Sequence, residues 1–319
     1  MPPFPKPRFQ YAYDLETERA ALRKYRRSKP GRHIPRKGSD RLLLATWNIA
    51  NLGVQERLDS DYALMAEMIG WFDLAAVQEV NDDLRGIEAI HSKLPARYDL
   101  LFSDASGNEE RQAFLYDTRK VSRLREVGRV SIPPSDLTSI KIQGTKLAFG
   151  GFDRGPYLAS FACGSFRFAL LNVHLFYGSK HAADVDRRTL ETYAVAWWAD
   201  RKHRDTLSYV PEIVPLGDFN LPKATAGNAI YDTLVSLGLE VPAHTSQIGS
   251  AIASDSYYDQ IAFFPGATRT RFTGASNVLD FDGALFQDLW QKRPGDPFLS
   301  FVKYHISDHR PLWAEFSTS

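Results

Sequence analysis

The stretch that decides the fold is Val214-Pro215-Leu216-Gly217-Asp218-Phe219-Asn220-Leu221-Pro222. Apolar residues lead into a glycine, and Asp218 and Asn220 follow two positions apart, which sets both on one face of a strand end. Asp218 can accept a proton or bind a cation. Asn220 donates and accepts without carrying charge, so the pair suits a reacting phosphate better than a packed core. A strand that simply ends in a turn rich in Gly, Asp, Asn and Pro has the same look. The rest of the chain must separate the two readings.

Working outward, residues 41–48 read as a first buried strand around Leu42-Leu43-Leu44-Ala45, followed by a loop through Gly53. Residues 60–72 carry Leu64, Met65, Met68 and Ile69 at helical spacing, and residues 73–79 form a second apolar strand, which together make a β-α-β unit. The helical pattern returns over 82–94. Residues 98–102 and 113–116 suggest a strand pair across a polar loop at 103–111, and residues 121–169 hold short β-like runs broken by Pro and Gly. Residues 166–174 form another apolar strand, 182–204 a long helix, 228–237 a shorter one, and 258–264 and 312–316 the last two strands. On the long helix, Arg187-Arg188 and the basic run 201–204 read as a solvated face. Alternation on this scale argues for one α/β domain with mixed sheets.

Composition bounds the rest. With 319 residues and 44% hydrophobic content the chain can bury a large core. A single cysteine, Cys163, excludes an internal disulfide framework and fits a reducing, cytoplasmic compartment. No apolar run reaches the roughly 18 residues of a membrane span, and the N-terminus has no apolar signal core. The net charge of +1 is unevenly placed: residues 1–41 hold twelve Lys/Arg against four Asp/Glu, leaving residues 42–319 net acidic. This basic extension contacts a polyanion such as nucleic acid or an anionic membrane surface, or is a solvated helix from 13 to about 29, ended by Pro30-Gly31, or is a packing element that covers the domain with Phe9, Tyr11, Tyr13 and Leu22.

Apolar strands in this chain repeatedly end in a residue able to handle a metal or a proton. The first ends in Asn48, the second in Gln78-Glu79, a later one in Asn172 and His174, and the opening one in Asp218 and Asn220. Tyr258-Asp259-Gln260 starts another, and Ser307-Asp308-His309 precedes the last. Strand ends of α/β sheets converge on one crevice. The grouped ligands, Glu79, Asp218, Asp308 and Asn48, are hard oxygen donors with no Cys/His set spaced for zinc, which favours magnesium. Two histidines, each needing a carboxylate to fix its tautomer, supply proton transfer. The inventory suits attack of water on a phosphate ester.

Thr46-Trp47-Asn48-Ile49, Val77-Gln78-Glu79-Val80, Asn172-Val173-His174, Gly217-Asp218-Phe219-Asn220, Tyr258-Asp259-Gln260-Ile261 and Ile306-Ser307-Asp308-His309-Arg310-Pro311 resemble the successive motifs of the endonuclease/exonuclease/phosphatase superfamily, in the family's order. Residues 42–316 are covered. The pancreatic deoxyribonuclease branch is the most similar, through Leu52-Gly53, residues 73–80, Glu110-Arg111 and Asp153-Arg154-Gly155-Pro156.

The resemblance implies a four-layer αββα sandwich with two mixed sheets, formed by residues 42–319 behind the extension 1–41. It implies Glu79 as the main metal ligand, helped by Asn48 and Asp308, with Mg2+ as the ion and Mn2+ or Ca2+ as substitutes. His174 would pair with Glu110 and His309 with Asp259. Asp218 and Asn220 would act at the scissile phosphate, and Arg154, Asn172 and Asn48 would contact substrate. The secreted deoxyribonucleases carry an arginine and a tyrosine for the DNA groove where this chain has Asn81 and Asn108. The expected activity is a magnesium-dependent deoxyribonuclease-like endonuclease with DNA as partner. A phosphatase or phosphodiesterase of small molecules or lipid headgroups, or a catalytically silent nucleic-acid-binding relative, are the alternatives. The oligomeric state is left open.

Overall fold

The computed structural model describes residues 3–29, 33–244 and 246–319. Its two sheets are each organised around one parallel pair. In the six-stranded sheet, β1 (Arg41–Leu52) runs parallel to β2 (Leu74–Asn81), joined by α2 (Asp59–Ile69), and the order is β10-β11-β1-β2-β4-β3. Here β3 is Tyr98–Phe102, β4 Glu110–Asp117, β10 Phe272–Val278 and β11 Leu312–Ser317. In the five-stranded sheet, β7 (Phe166–His174) runs parallel to β8 (Ile213–Asp218), joined by α4 (Ala182–Arg204). The order there is β5-β6-β7-β8-β9, with β5 Ser122–Arg129, β6 Tyr157–Cys163 and β9 Asp259–Ile261. A parallel pair brings two strand C-termini to the same end, so Asn48 and Gln78 are register partners, and so are His174 and Asp218.

Side-chain parity explains the layers. Leu42 and Leu44 of β1, Leu74 and Ala76 of β2, Phe166, Phe168 and Leu170 of β7, and Val214 and Leu216 of β8 fill one core between the sheets. Their alternates Leu43, Ala45, Trp47, Ala75 and Val77 pack outward against α2, α3 (Arg85–His91), α7 (Gln287–Lys292) and α8 (Asp296–His305). On the other side Ala169, Leu171, Val173 and Ile213 meet α4 and α5 (Ala229–Val235). The result is helices, sheet, sheet, helices, and both faces of the central strands are dry, which is why they read as unbroken apolar runs rather than alternating ones.

The same parity aims the site. Asn48, Glu110, Asn172, His174, Asp218 and Asp259 each lie an even number of residues from an inter-sheet core residue of their own strand, so all face the gap between the sheets at one end. Glu79 has the opposite parity. A register shift next to it and a left-handed φ of 60° turn its side chain back to the shared end, a backbone state that for a glutamate costs roughly 1–3 kcal/mol and occurs at functional positions. Gly217 has φ 130°, and a Cβ there would sit 2.1 Å from Val173 O. Only glycine lets β8 approach β7 closely enough to bring Asp218 beside His174.

Several elements differ from expectation. Strand β1 runs on to Leu52, whereas the strand expected over 258–264 is regular only over Asp259–Ile261. Strand β10 and helices α6 (Ala267–Arg271), α7 and α8 were not legible at all. Helix α1 is Leu15–Ser28, and the expected stop at Pro30-Gly31 lies outside the described residues. Phe9, Tyr11, Tyr13, Leu22 and Tyr25 pack against the outer helical layer, and Tyr13 Oη donates to Asp61. Arg188 is buried rather than on a solvated face: it donates to Ser179 O and Asn220 O and lies under the Tyr177 ring.

Candidate active site

At the shared end of the sheets lies a cavity of ≈ 480 Å³, lined among others by His174, Asp218, Asn220, Asp308, His309 and Arg154. Its geometry is near-symmetric about Asp218. His174 Nδ1 lies 2.8 Å from Glu110 Oε2, and His309 Nδ1 lies 2.7 Å from Asp259 Oδ2. The opposite ring nitrogens, both Nε2, lie 3.7 Å and 4.0 Å from the same atom, Asp218 Oδ2. A carboxylate at Nδ1 fixes the imidazole orientation and leaves Nε2 for proton transfer.

The electrostatics follow from burial and pairing. Burial alone would raise the Glu110 carboxyl, but the charge and hydrogen bond of His174, with the Arg154 guanidinium nearby, outweigh it and bring the group down to about 2. Burial pushes the Asp259 carboxyl up. For His309 burial works against the charged ring, yet Asp259 and Asp218 together hold its proton well above the usual histidine range.

Asn48 links the sheets, its Nδ2 donating to Glu79 Oε1 and Asp218 Oδ2, both at 3.0 Å. That leaves Asn48 Oδ1 buried without a hydrogen-bond partner beside the Glu79 carboxylate, itself fixed by the Asn51 amide at 2.8 Å. An orphaned carbonyl oxygen next to a carboxylate fits a hard divalent cation, and magnesium characteristically takes one or two carboxylates and keeps waters elsewhere. Among the described residues no three His, Cys, Asp or Glu side chains are grouped to hold a metal ion by themselves. Asp308 lines the same cavity.

Two expected substrate contacts have other partners. Asn172 is fully buried: Oδ1 accepts from Gln78 Nε2, and Nδ2 donates to Val77 O and Ala113 O. It ties the two sheets together behind the cavity. Arg154 reaches the cavity wall, but Nε and Nη2 donate to His174 O and Leu175 O, and Nη1 to Asp153. Its guanidinium braces the His174 backbone. Asn220 bonds Leu175 O through Nδ2 and closes the turn on Asp218 with φ 53°.

The cavity also holds Phe176, Tyr177 and Lys303, which the sequence did not single out. Phe176, Tyr177 and Tyr258 form an aromatic wall, with Tyr258 tilted against the His309 ring at 5.7 Å, and Lys303 supplies a cation. Phe176-Tyr177, separated from the Asn172-Val173-His174 strand end by Leu175 alone, was the available signal. Lys303, on a helix that was not foreseen, gave none.

No family model and no curated protein matches the chain. Solved structures do. An endonuclease/exonuclease/phosphatase family protein from Bacteroides thetaiotaomicron superposes with a TM-score of 0.53 at 20% identity, over 88% of this chain and 95% of that one. The chain has the endonuclease/exonuclease/phosphatase fold. The mannosyl-6-phosphatase Bt3783 of the same organism gives a TM-score of 0.52 at 20% identity, over 86% of this chain and 99% of its own. D. rerio TDP2, complexed with single strand DNA product, gives 0.54 at 14% identity over 87% and 99%. These proteins share the two-sheet sandwich whose one end, in this chain, carries the histidine–carboxylate pairs.

Proposed function

We propose that the chain is a magnesium-dependent phosphodiesterase acting on DNA as an endonuclease that leaves a 5′-phosphate. The observation that carries this reading is the pair of histidines, each backed by its own carboxylate and both facing Asp218 Oδ2. Hydrolysis of a phosphodiester needs one group to take a proton from the attacking water and another to give one to the leaving oxygen. The new bond joins the water oxygen to phosphorus, and the broken bond releases the 3′-oxygen, which leaves as a hydroxyl. Two imidazoles on either side of one cavity can divide those tasks, and Asp218 stabilises whichever ring carries the positive charge. Magnesium held by Glu79 and Asn48 would neutralise charge on the phosphate.

The aromatic wall of Phe176, Tyr177 and Tyr258 offers flat faces to nucleobases, and D. rerio TDP2 was solved with a DNA product. A second reading, phosphomonoester or small-molecule phosphodiester hydrolysis, draws on the neutral Asn81 and Asn108 in place of groove-binding residues, and on the mannosyl-6-phosphatase of the same fold. Incubation with supercoiled plasmid, single-stranded DNA, RNA, phosphoinositides and sugar phosphates, with magnesium or EDTA, separates the two. Plasmid nicking that EDTA abolishes supports the endonuclease. Phosphate release from a sugar or lipid headgroup with intact plasmid favours the second reading.

A further inference from the structure

The loop between β1 and α2 contains one arginine, Arg57, whose side chain turns inward beneath the site. Its Nη2 donates to Ala50 O at 2.5 Å and to Ile306 O at 3.2 Å, and its Nη1 reaches Asn51 O at 3.4 Å. These carbonyls belong to chain segments about 250 residues apart in sequence, as the separation of 249 between Arg57 and Ile306 records. Each leads directly into the site. The Asn51 amide is the donor that fixes Glu79 Oε2. Ile306 precedes Ser307, whose hydroxyl accepts from Ala50 N and His309 N and donates to Asn48 O. Gln55 of the same loop fastens it to the end of α8 through Tyr304 O.

Burial works against the guanidinium charge and brings Arg57 down to about 10, with Asp61, Glu79 and Asp308 acting in the other direction. The group remains a cation at neutral pH behind an anionic cluster. A planar fork is the side chain that reaches three carbonyls at once, whereas an ammonium brings the charge without the fork.

Given the hydrolase reading, we propose that Arg57 is a positioning residue of the active site. It clamps the Ala50-Asn51 turn to Ile306 and thereby sets Glu79 relative to Asp308 and His309. It touches no reacting atom, so its removal acts on turnover rather than on substrate binding.

The test is steady-state hydrolysis of bis(p-nitrophenyl) phosphate at saturating magnesium by the full chain and its Arg57→Ala and Arg57→Lys variants, with and without added guanidinium ion at non-denaturing concentration. For Arg57→Ala, kcat is expected to fall on the order of a hundredfold with KM within about threefold, because small misplacement of reacting groups costs that much. Guanidinium should restore about tenfold or more of the lost rate by refilling the site, with the melting temperature of Arg57→Ala well above the assay temperature, so that the loss is not one of folded protein as it would be for a merely structural arginine. A kcat within about threefold of the parent, or a loss that guanidinium leaves untouched, overturns the proposal. Should Arg57→Ala fail to fold, Arg57→Lys decides: a drop of roughly tenfold or more with KM held supports the clamp, and parental turnover refutes it. An unmodified protein that hydrolyses no phosphodiester removes the hydrolase reading itself, an outcome distinct from an active parent matched by its variants.

Discussion

Asn48, on the six-stranded sheet, donates its side-chain amide at 3.0 Å to Asp218, on the five-stranded sheet. The bond crosses from one sheet to the other, between the Glu79 carboxylate and the carboxylate that both histidine rings face. One amide thereby orients both carboxylates, Glu79 through Oε1 and Asp218 through Oδ2, while its own carbonyl oxygen is left without a partner.

Glu79→Gln should remove at least about a hundredfold of the activity while the melting temperature moves by only a few degrees, since the substitution deletes the charge that holds the cation and keeps the size. Magnesium titration monitored by activity and by calorimetry checks this. Near-parental turnover at saturating magnesium would detach Glu79 from the metal.

His174→Ala and His309→Ala should each lower kcat by on the order of a hundredfold or more if both rings transfer protons. Because the two act in one step, the double variant should be little worse than the poorer single one. A silent histidine would show that its pairing with Glu110 or Asp259 serves structure alone.

Glu110 carries a pH prediction. Its folded carboxyl at about 2 lies below the ordinary 4.5, so its contribution is fully present above pH 4.5 and is lost as pH falls from there toward 2. The shift corresponds to at most about 3 kcal/mol. Glu110→Gln should therefore destabilise the protein at pH 7 and make its loss of stability between pH 5 and 3 shallower. Urea unfolding at pH 7, 5 and 3 reads both effects, and parallel losses in parent and variant would contradict the pairing.

The grouping of polar residues at one end of the sheets was legible because they sit at ends of apolar strands, where Asp, Asn, Glu and His have no reason to follow buried runs such as Leu170-Leu171 or Val214-Pro215-Leu216. Helix α4 was legible over its whole length, expected from 182 to about 204 and observed as Ala182–Arg204. Strand β10 was not: Thr273, Gly274, Ser276 and Asn277 dilute its apolar pattern, and its pairing is set by β11 some 40 residues later. The roles of Asn172 and Arg154 were also out of reach. A polar residue at a strand end looks alike whether it faces a cavity or ties two sheets, and only the second sheet decides. Arg57 had no sequence signal, because its partners are backbone carbonyls assembled by the tertiary fold.

Deleting residues 1–29 should lower the melting temperature by several degrees, since Leu22 is fully buried and each half-buried aromatic of the arm contributes on the order of 1 kcal/mol. Phe9 stacks on the Phe301 ring, Tyr13 packs against Phe286, and Tyr11 meets both. If the arm only packs, the salt dependence of DNA binding should stay the same. A flatter salt slope in the truncated protein would instead assign phosphate contacts to its lysines and arginines.

Water attack on a DNA phosphodiester at the Asp218 centre can be read by nicking supercoiled plasmid in ¹⁸O-enriched water with magnesium and analysing the new ends by mass spectrometry. The account predicts a 5′-phosphate carrying one ¹⁸O atom and an unlabelled 3′-hydroxyl, with His174→Ala and His309→Ala giving neither at comparable enzyme levels. Intact plasmid, or label on a 3′-phosphate, would contradict it.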